Sequence, residues 1–364
     1  MSVSINQGTD STALVAESPR RAGWRTLLSR TAFWIAVTDI LLILIFGLLS
    51  RNQVFLSGAN FQNLALDGTQ VILLAVGAAL LLAAGEFDIS LGANVILSSV
   101  TSGIVVSNLQ TDSFLILILV GGLVAIATGA TVGLINGVIV TRLKVNSLIA
   151  TLAMLGIVTG TANILTGGAD LAGIPTSLQS DFGTHYLFGM FPLPAVIAIV
   201  VTAIFWIVMT KTRFGLHTLA SGSSRASAER AGIKTAAHIT ALYAIVGGLA
   251  GLAGLIDISR FATTNIAGHQ VDSLAAIAGA VIGGTSLFGG RISVLGALIG
   301  AMLAVILQAG LVVLGLPSFY QLIAIGIVLI AAVYLDESRA SRKFRLVRKK
   351  QPQRLKTQRF KEKE

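Results

Sequence analysis

About ten apolar runs, most of them close to the 20 residues that a helix needs to cross a hydrocarbon core of roughly 30 Å, follow one another along this chain. They cover residues 33–50, 69–85, 89–107, 114–140, 145–165, 186–210, 235–256, 271–290, 292–315 and 317–335. Lipid is therefore the main solvent. Of 364 residues, 54% are hydrophobic and 12% charged, and mean hydropathy is +0.85, which leaves too little polar surface to coat a soluble globule. Lipid offers the backbone no hydrogen bonds, so each span must be a helix or part of a closed barrel, and long runs without strict alternation favour helices. The expected class is all-α: a polytopic membrane protein of about ten helices over residues 33–335, with an N-terminal arm (1–32) and a basic tail (336–364).

Lys and Arg set the orientation, because short cytoplasmic loops carry the excess. Arg20, Arg21, Arg25 and Arg30 precede span one, and Arg142 and Lys144 follow span four. Lys211, Arg213, Arg225, Arg230 and Lys234 lie between spans six and seven, and Arg291 ends span eight. One crossing per span places all of these on one side, with both termini cytoplasmic. Asp112, Asp170, Asp181, His185, Asp257 and Asp272 then fall in external loops. A polar N-terminal arm without a cleavage site behind the first apolar run is not a secretory signal. The net charge of +10 follows membrane orientation and anionic lipid more simply than nucleic acid. With no Cys, disulfides and thiolate metal sites are excluded, and the four histidines show no metal-ligand spacing.

Several segments interrupt the apolar pattern. Gly85 to Gly92 sets Glu86 and Asp88 between two apolar runs, where ionisable groups cost several kcal/mol unless they face protein or water. The segment is either part of a solute path, with Glu86, Asp88 and Ser90 lining it, or an interfacial turn. Gly283 to Arg291 brackets Thr285, Ser286 and Phe288 with paired glycines; it is an unwound element of the path or a glycine-rich turn. Residues 221–233 have the chemistry of a short cytoplasmic helix. Ser223 or Ser224 can cap it, Arg225, Glu229 and Arg230 are exposed, Ala226, Ala231 and Ile233 can pack, and Gly232 stops it. Gly247, Gly251 and Gly254, like Gly296 and Gly300, are spaced for close helix packing. The sequence holds no G-x-x-x-x-G-K-[ST] loop, so any use of ATP must come from a partner.

Three motifs in order resemble the ribose-type sugar permeases of bacterial ABC importers. They are Phe87 to Ala93, the loop from Thr212-Arg213-Phe214-Gly215 to Ala228-Glu229-Arg230-Ala231-Gly232-Ile233, and Gly283 to Arg291 with Ser293 to Gly296. The resemblance covers nearly the whole chain. It implies a permease subunit in the bacterial inner membrane that carries a small sugar-like solute and performs no catalysis. It also implies a second permease copy, two cytosolic ATPase domains that use ATP and magnesium, and a periplasmic sugar-binding protein. By likeness the segment Ser223 to Gly232, with Arg225, Glu229 and Arg230, is the helix that docks on the ATPase. The chain departs from the pattern at Ser221-Gly222-Ser223, where Gly-Gly-Asn is common, at Glu86 and at Ile292; these leave the solute open. If spans two to five and seven to ten are homologous blocks, they form an inverted repeat. The rivals are a gradient-coupled carrier, for which only Asp39, Asp67, Glu86 and Asp88 come near enough to serve as the coupling site, and an intramembrane enzyme, for which no paired constellation exists.

Overall fold

The computed structural model describes residues 31–269, 271–317 and scattered positions between 319 and 334. Eight of its helices are long and apolar enough to cross a membrane. They are α1 (Thr31–Leu49), α2 (Gly58–Ala83), α3 (Leu91–Asn108), α4 (Phe114–Thr141), α5 (Ser147–Thr166), α6 (Leu193–Lys211), α9 (Thr235–Phe261) and α11 (Val294–Val313). Two helices, α7 (Arg213–Ser223) and α8 (Arg225–Arg230), fill the loop between α6 and α9, and α10 (Asp272–Ile282) is a short apolar helix. A two-stranded hairpin, β1 (Tyr186–Leu187) with β2 (Phe191–Pro192), precedes α6. The expected tail, most of the N-terminal arm and much of the tenth run lie outside the described residues.

Side-chain caps set five of these eleven helix starts. The side chains of Ser57, Asn146, Thr212, Ser224 and Ser293 each accept a hydrogen bond from a first-turn N–H of the helix that follows. Helices α2, α3 and α9 form the centre: 83%, 72% and 67% of their most apolar stretches are buried, against 22% for α1 and 28% for α4. The outer helices turn Leu, Ile and Val outwards, among them Leu48, Leu123 and Ile164, as a lipid-facing surface requires.

Glycines bring the central helices into backbone contact. A Cβ added at Gly129 of α4 would lie 2.2 Å from Gly247 O of α9, and one at Gly133 would lie 2.1 Å from Tyr243 O. Gly254 meets α3 at Val95 and Ser99, while Gly296 and Gly300 meet Gly283 and Gly279 at the end of α10. Dispersion and packing drive association where lipid removes the hydrophobic term, so small residues on these faces hold the bundle together.

Four expectations are corrected. The eighth run is not one 20-residue helix: α10 ends at Ile282, and residues 283–293 form an irregular turn because paired glycines release the backbone. The second helix begins at Gly58, since Ser57 caps it and its polar members find partners, Gln70 on Asp257 and Asp67 on Arg260. Asp257 is accordingly no external-loop residue but lies within α9, 1% exposed. The sixth span begins at Leu193 rather than at Tyr186, because the hairpin occupies the residues before it.

The N-terminal ends of α3 and α10 meet. Gly92 N–H donates to Ser273 Oγ at 2.9 Å, and His269 O fills the position a Gly92 Cβ would need. His269 Nδ1 lies 2.6 Å from Asp272 Oδ2, its Nε2 lies 3.2 Å from Asp257 Oδ1, and that same oxygen accepts from Gln70 Nε2. This clasp ties α2, α9 and the start of α10 to the loop 262–271.

Candidate functional site

At the end of the bundle that carries the basic loops, three segments that are far apart in sequence share one junction. Gly222, near the end of α7, packs so closely that its Cβ would lie 2.0 Å from Ala83 O and 2.8 Å from Gly290 N. Gly290 N–H in turn donates to Ala83 O at 2.9 Å, and Gly289, at φ +83°, stacks on Gly222 O. The loop helices therefore sit directly on both glycine-rich turns, 84–90 and 283–293.

The loop helix α8 is built as its residues dictate. Ser224 caps it, accepting from Ser227 N–H at 3.3 Å, while Gly232 at φ +84° and the Ile233 N–H bond to Ala228 O close its end. Ser223, Arg225, Glu229 and Arg230 are all exposed. Ala228 is the buried member; Ala226 and Ala231, expected to pack, are exposed because the helix is only six residues long and presents one narrow face inwards. Arg225 Nη1 reaches across to Glu86 Oε1 at 3.4 Å and so joins α8 to the first turn.

In that turn several backbone groups and the Asp88 carboxylate are held by side chains. Asp88 Oδ1 accepts from Ser90 N–H at 2.8 Å and from Ser90 Oγ at 2.6 Å, and Asn136 Nδ2 donates to Ser90 Oγ and to Asp88 Oδ2. Phe87 N–H and Ile89 N–H donate to Ser147 and Thr151 of α5, and Tyr243 Oη of α9 donates to Phe87 O at 2.7 Å. Burial raises the Glu86 carboxyl above its ordinary range, opposed by the Ser147 hydroxyl and the Arg225 guanidinium. In the second turn, Thr285 is buried and its Oγ1 accepts from Ser293 N–H at 3.2 Å, whereas Phe288 is 64% exposed. Asp88, Ser90 and Thr285 are thus packed inside the subunit as fasteners of the two turns, while Ser286, half-buried, and Phe288 reach the surface.

Sequence reading missed Asn136, Tyr243, Ser147 and Thr151, which hold the first turn. A lone amide within the otherwise apolar 28 residues of α4 was the available signal for Asn136. It also missed the Gln70–Asp257–His269–Asp272 clasp, whose members carry no common spacing.

A bundle of apolar, outward-exposed helices with glycine-rich turns and an exposed loop helix defines a multi-pass membrane protein, and comparison with known proteins gives its class as a transport permease. The family model described as "Branched-chain amino acid transport system / permease component" matches residues 60–333, and the chain belongs to that family. It is 35% identical over 303 residues to the ribose import permease protein of Bacillus subtilis, covering 83% of this chain and 91% of the relative. It is 29% identical to the galactose/methyl galactoside import permease protein of Haemophilus influenzae, over 85% and 95% of the two chains. It is 30% identical to the autoinducer 2 import system permease protein of Yersinia pestis, over 81% of each. No solved structure matches the chain.

Proposed function

We propose that this chain is the membrane-spanning subunit of an ATP-driven importer for a small sugar or sugar-like solute, seated in the bacterial inner membrane. Its relatives import ribose, galactose and autoinducer 2, and the sugar-like character they share is what carries over, not one of the three solutes. A soluble periplasmic protein delivers the solute, a second permease copy completes the path, and a cytosolic ATPase supplies ATP and magnesium chemistry. The permease itself makes and breaks no covalent bond.

The observation that carries this reading is the seat of α7, which runs directly into α8, on both glycine turns. A stroke delivered to Ser223, Arg225, Glu229, Arg230 and Gly232 reaches the membrane at once, through the Gly222 backbone contacts and the Arg225–Glu86 pair. Movement of the turns then shifts the start of α3 and the end of α10, and Ser286 and Phe288 are the members of the second turn placed to meet the solute. Glu86, Asp88, Ser90 and Thr285 position the path rather than line it.

Charge reversal at two exposed positions tests the docking. Arg225→Glu with Arg230→Glu disrupts an interface at small cost to folding. Co-purification of the ATPase from membranes is expected to fall at least tenfold while the permease stays monodisperse. Undiminished co-purification removes α8 as the docking element.

A further inference from the structure

A groove of about 650 Å³ opens where the cytosolic ends of α4 and α9 meet the end of α8. Leu134 and Val138 of α4 form one wall, and Ala237 and Ala241 of α9 form the other. Each pair is spaced i, i+4, so the walls are two apolar rails along the helix axes. All four side chains are exposed, Leu134 to 47%, on helices whose outer surfaces face lipid. At the cytosolic end of the rails stand Arg142 and Lys234. From Leu134 to Arg142 is eight residues, about 12 Å of helix rise, enough to run from headgroup level well into the acyl region.

The groove carries a net positive charge, two cations against one carboxylate. Neither Arg142 nor Lys234 makes an ion pair among the described residues. Glu229 also lines the groove, but its Oε1 already accepts the Thr235 hydroxyl at 2.5 Å. The hydroxyls of Thr141 and Thr240, 2.8 Å apart, are bonded to each other and to Gly137 O, so they add no anchor for a sugar. A free anion would use the cations and leave the rails empty, and a peptide from the cytosol would meet rails that run away from it into the bilayer. Only an amphiphile with an anionic head satisfies both ends.

We propose that this groove is a binding site for an anionic glycerophospholipid of the cytosolic leaflet, its phosphate between Arg142 and Lys234 and one acyl chain along Leu134, Val138, Ala237 and Ala241. The lipid would bridge the end of α4 to the joint between α8 and α9. The site does not depend on which solute is carried, shares Glu229 with the helix proposed to dock on the ATPase, and requires only that the cytoplasmic end be as the basic loops orient it.

The test is photo-crosslinking of the full-length permease in phosphatidylcholine nanodiscs doped with a photoreactive phosphatidylglycerol or a photoreactive phosphatidylcholine. Phosphatidylglycerol is expected to label peptides containing Leu134–Arg142 and Lys234–Ala241 in preference to phosphatidylcholine. Each cation contributes roughly a fivefold preference near an anionic surface. Arg142→Gln or Lys234→Gln should therefore lower phosphatidylglycerol labelling about fivefold, and both together about thirtyfold. Ala241→Phe keeps the charges and fills the groove, so it should abolish labelling by both lipids; it guards against a charge variant that inserts poorly. Labelling without headgroup preference, labelling unchanged in the variants, or a groove that no lipid labels overturns the site. Displacement by soluble glycerol phosphate at the concentration of the lipid would reduce it to an ion site and also overturn the proposal.

Discussion

Glu86 and Arg225 lie 139 positions apart, and nothing local in the sequence joins them. The carboxylate reads as part of a path and the guanidinium as part of a docking surface; the fold makes them one link, because Gly222 lets α7 descend onto Ala83 and carries Arg225 over the turn. With the Arg225 side chain 41% exposed, the pair adds at most about 1 kcal/mol to folding. Its worth is directional. Glu86→Arg should therefore lower solute uptake per ATP hydrolysed several-fold with little change in thermal stability, and Glu86→Arg with Arg225→Glu should restore much of it. Equal coupling in the single and double variants would reduce the pair to a surface contact. The pH dependence has a fixed sign. Burial already raises the Glu86 carboxyl and Arg225 opposes that rise, so Arg225→Ala raises it further and the carboxylate is lost at higher pH. In the intact protein coupling should fall as Glu86 is protonated at acid pH, and in Arg225→Ala, which has no pair left to break, that acid limb should be absent; a limb retained in Arg225→Ala contradicts the link.

At the scale of elements, the crossing of α4 and α9 rests on the absence of side chains. A Cβ at Gly129 would lie 2.2 Å from Gly247 O, and backbone cannot yield as a flexible side chain does. Gly156 of α5 is helical too, but a Cβ there meets nothing within 4 Å. Gly129→Ala should destabilise the detergent-solubilised protein by about 1–3 kcal/mol, read as a lower Tm, whereas Gly156→Ala should be neutral or stabilising. Matching shifts in the two variants would mean that the helices do not cross at these glycines. The sequence made such crossings legible because small residues repeat on one face, and it made most spans legible because length and apolarity suffice. The break after Ile282 was legible in the paired glycines of Gly283 to Arg291, although Val281, Ile282, Leu287 and Phe288 keep residues 271–290 apolar enough to count as one run. The clasp at His269 was hidden. Gln70 lies 187 positions from Asp257, and only the packed bundle brings them within 3.0 Å.

The described molecule joins an apolar shell, which lipid solvates, to a junction where the end of α7, the turn 84–90 and the turn 283–293 bear on one another. On the proposed function it supplies a path and a lever, and the ATPase supplies the energy. The measurement that bears most directly on this is uptake in proteoliposomes holding the permease, with and without its ATPase and binding protein, under imposed proton and sodium gradients. Solute should accumulate only when ATPase, ATP and binding protein are all present, and the permease alone should accumulate none under either gradient. Accumulation by the permease alone, driven by a gradient, would contradict the account and make the chain a secondary carrier.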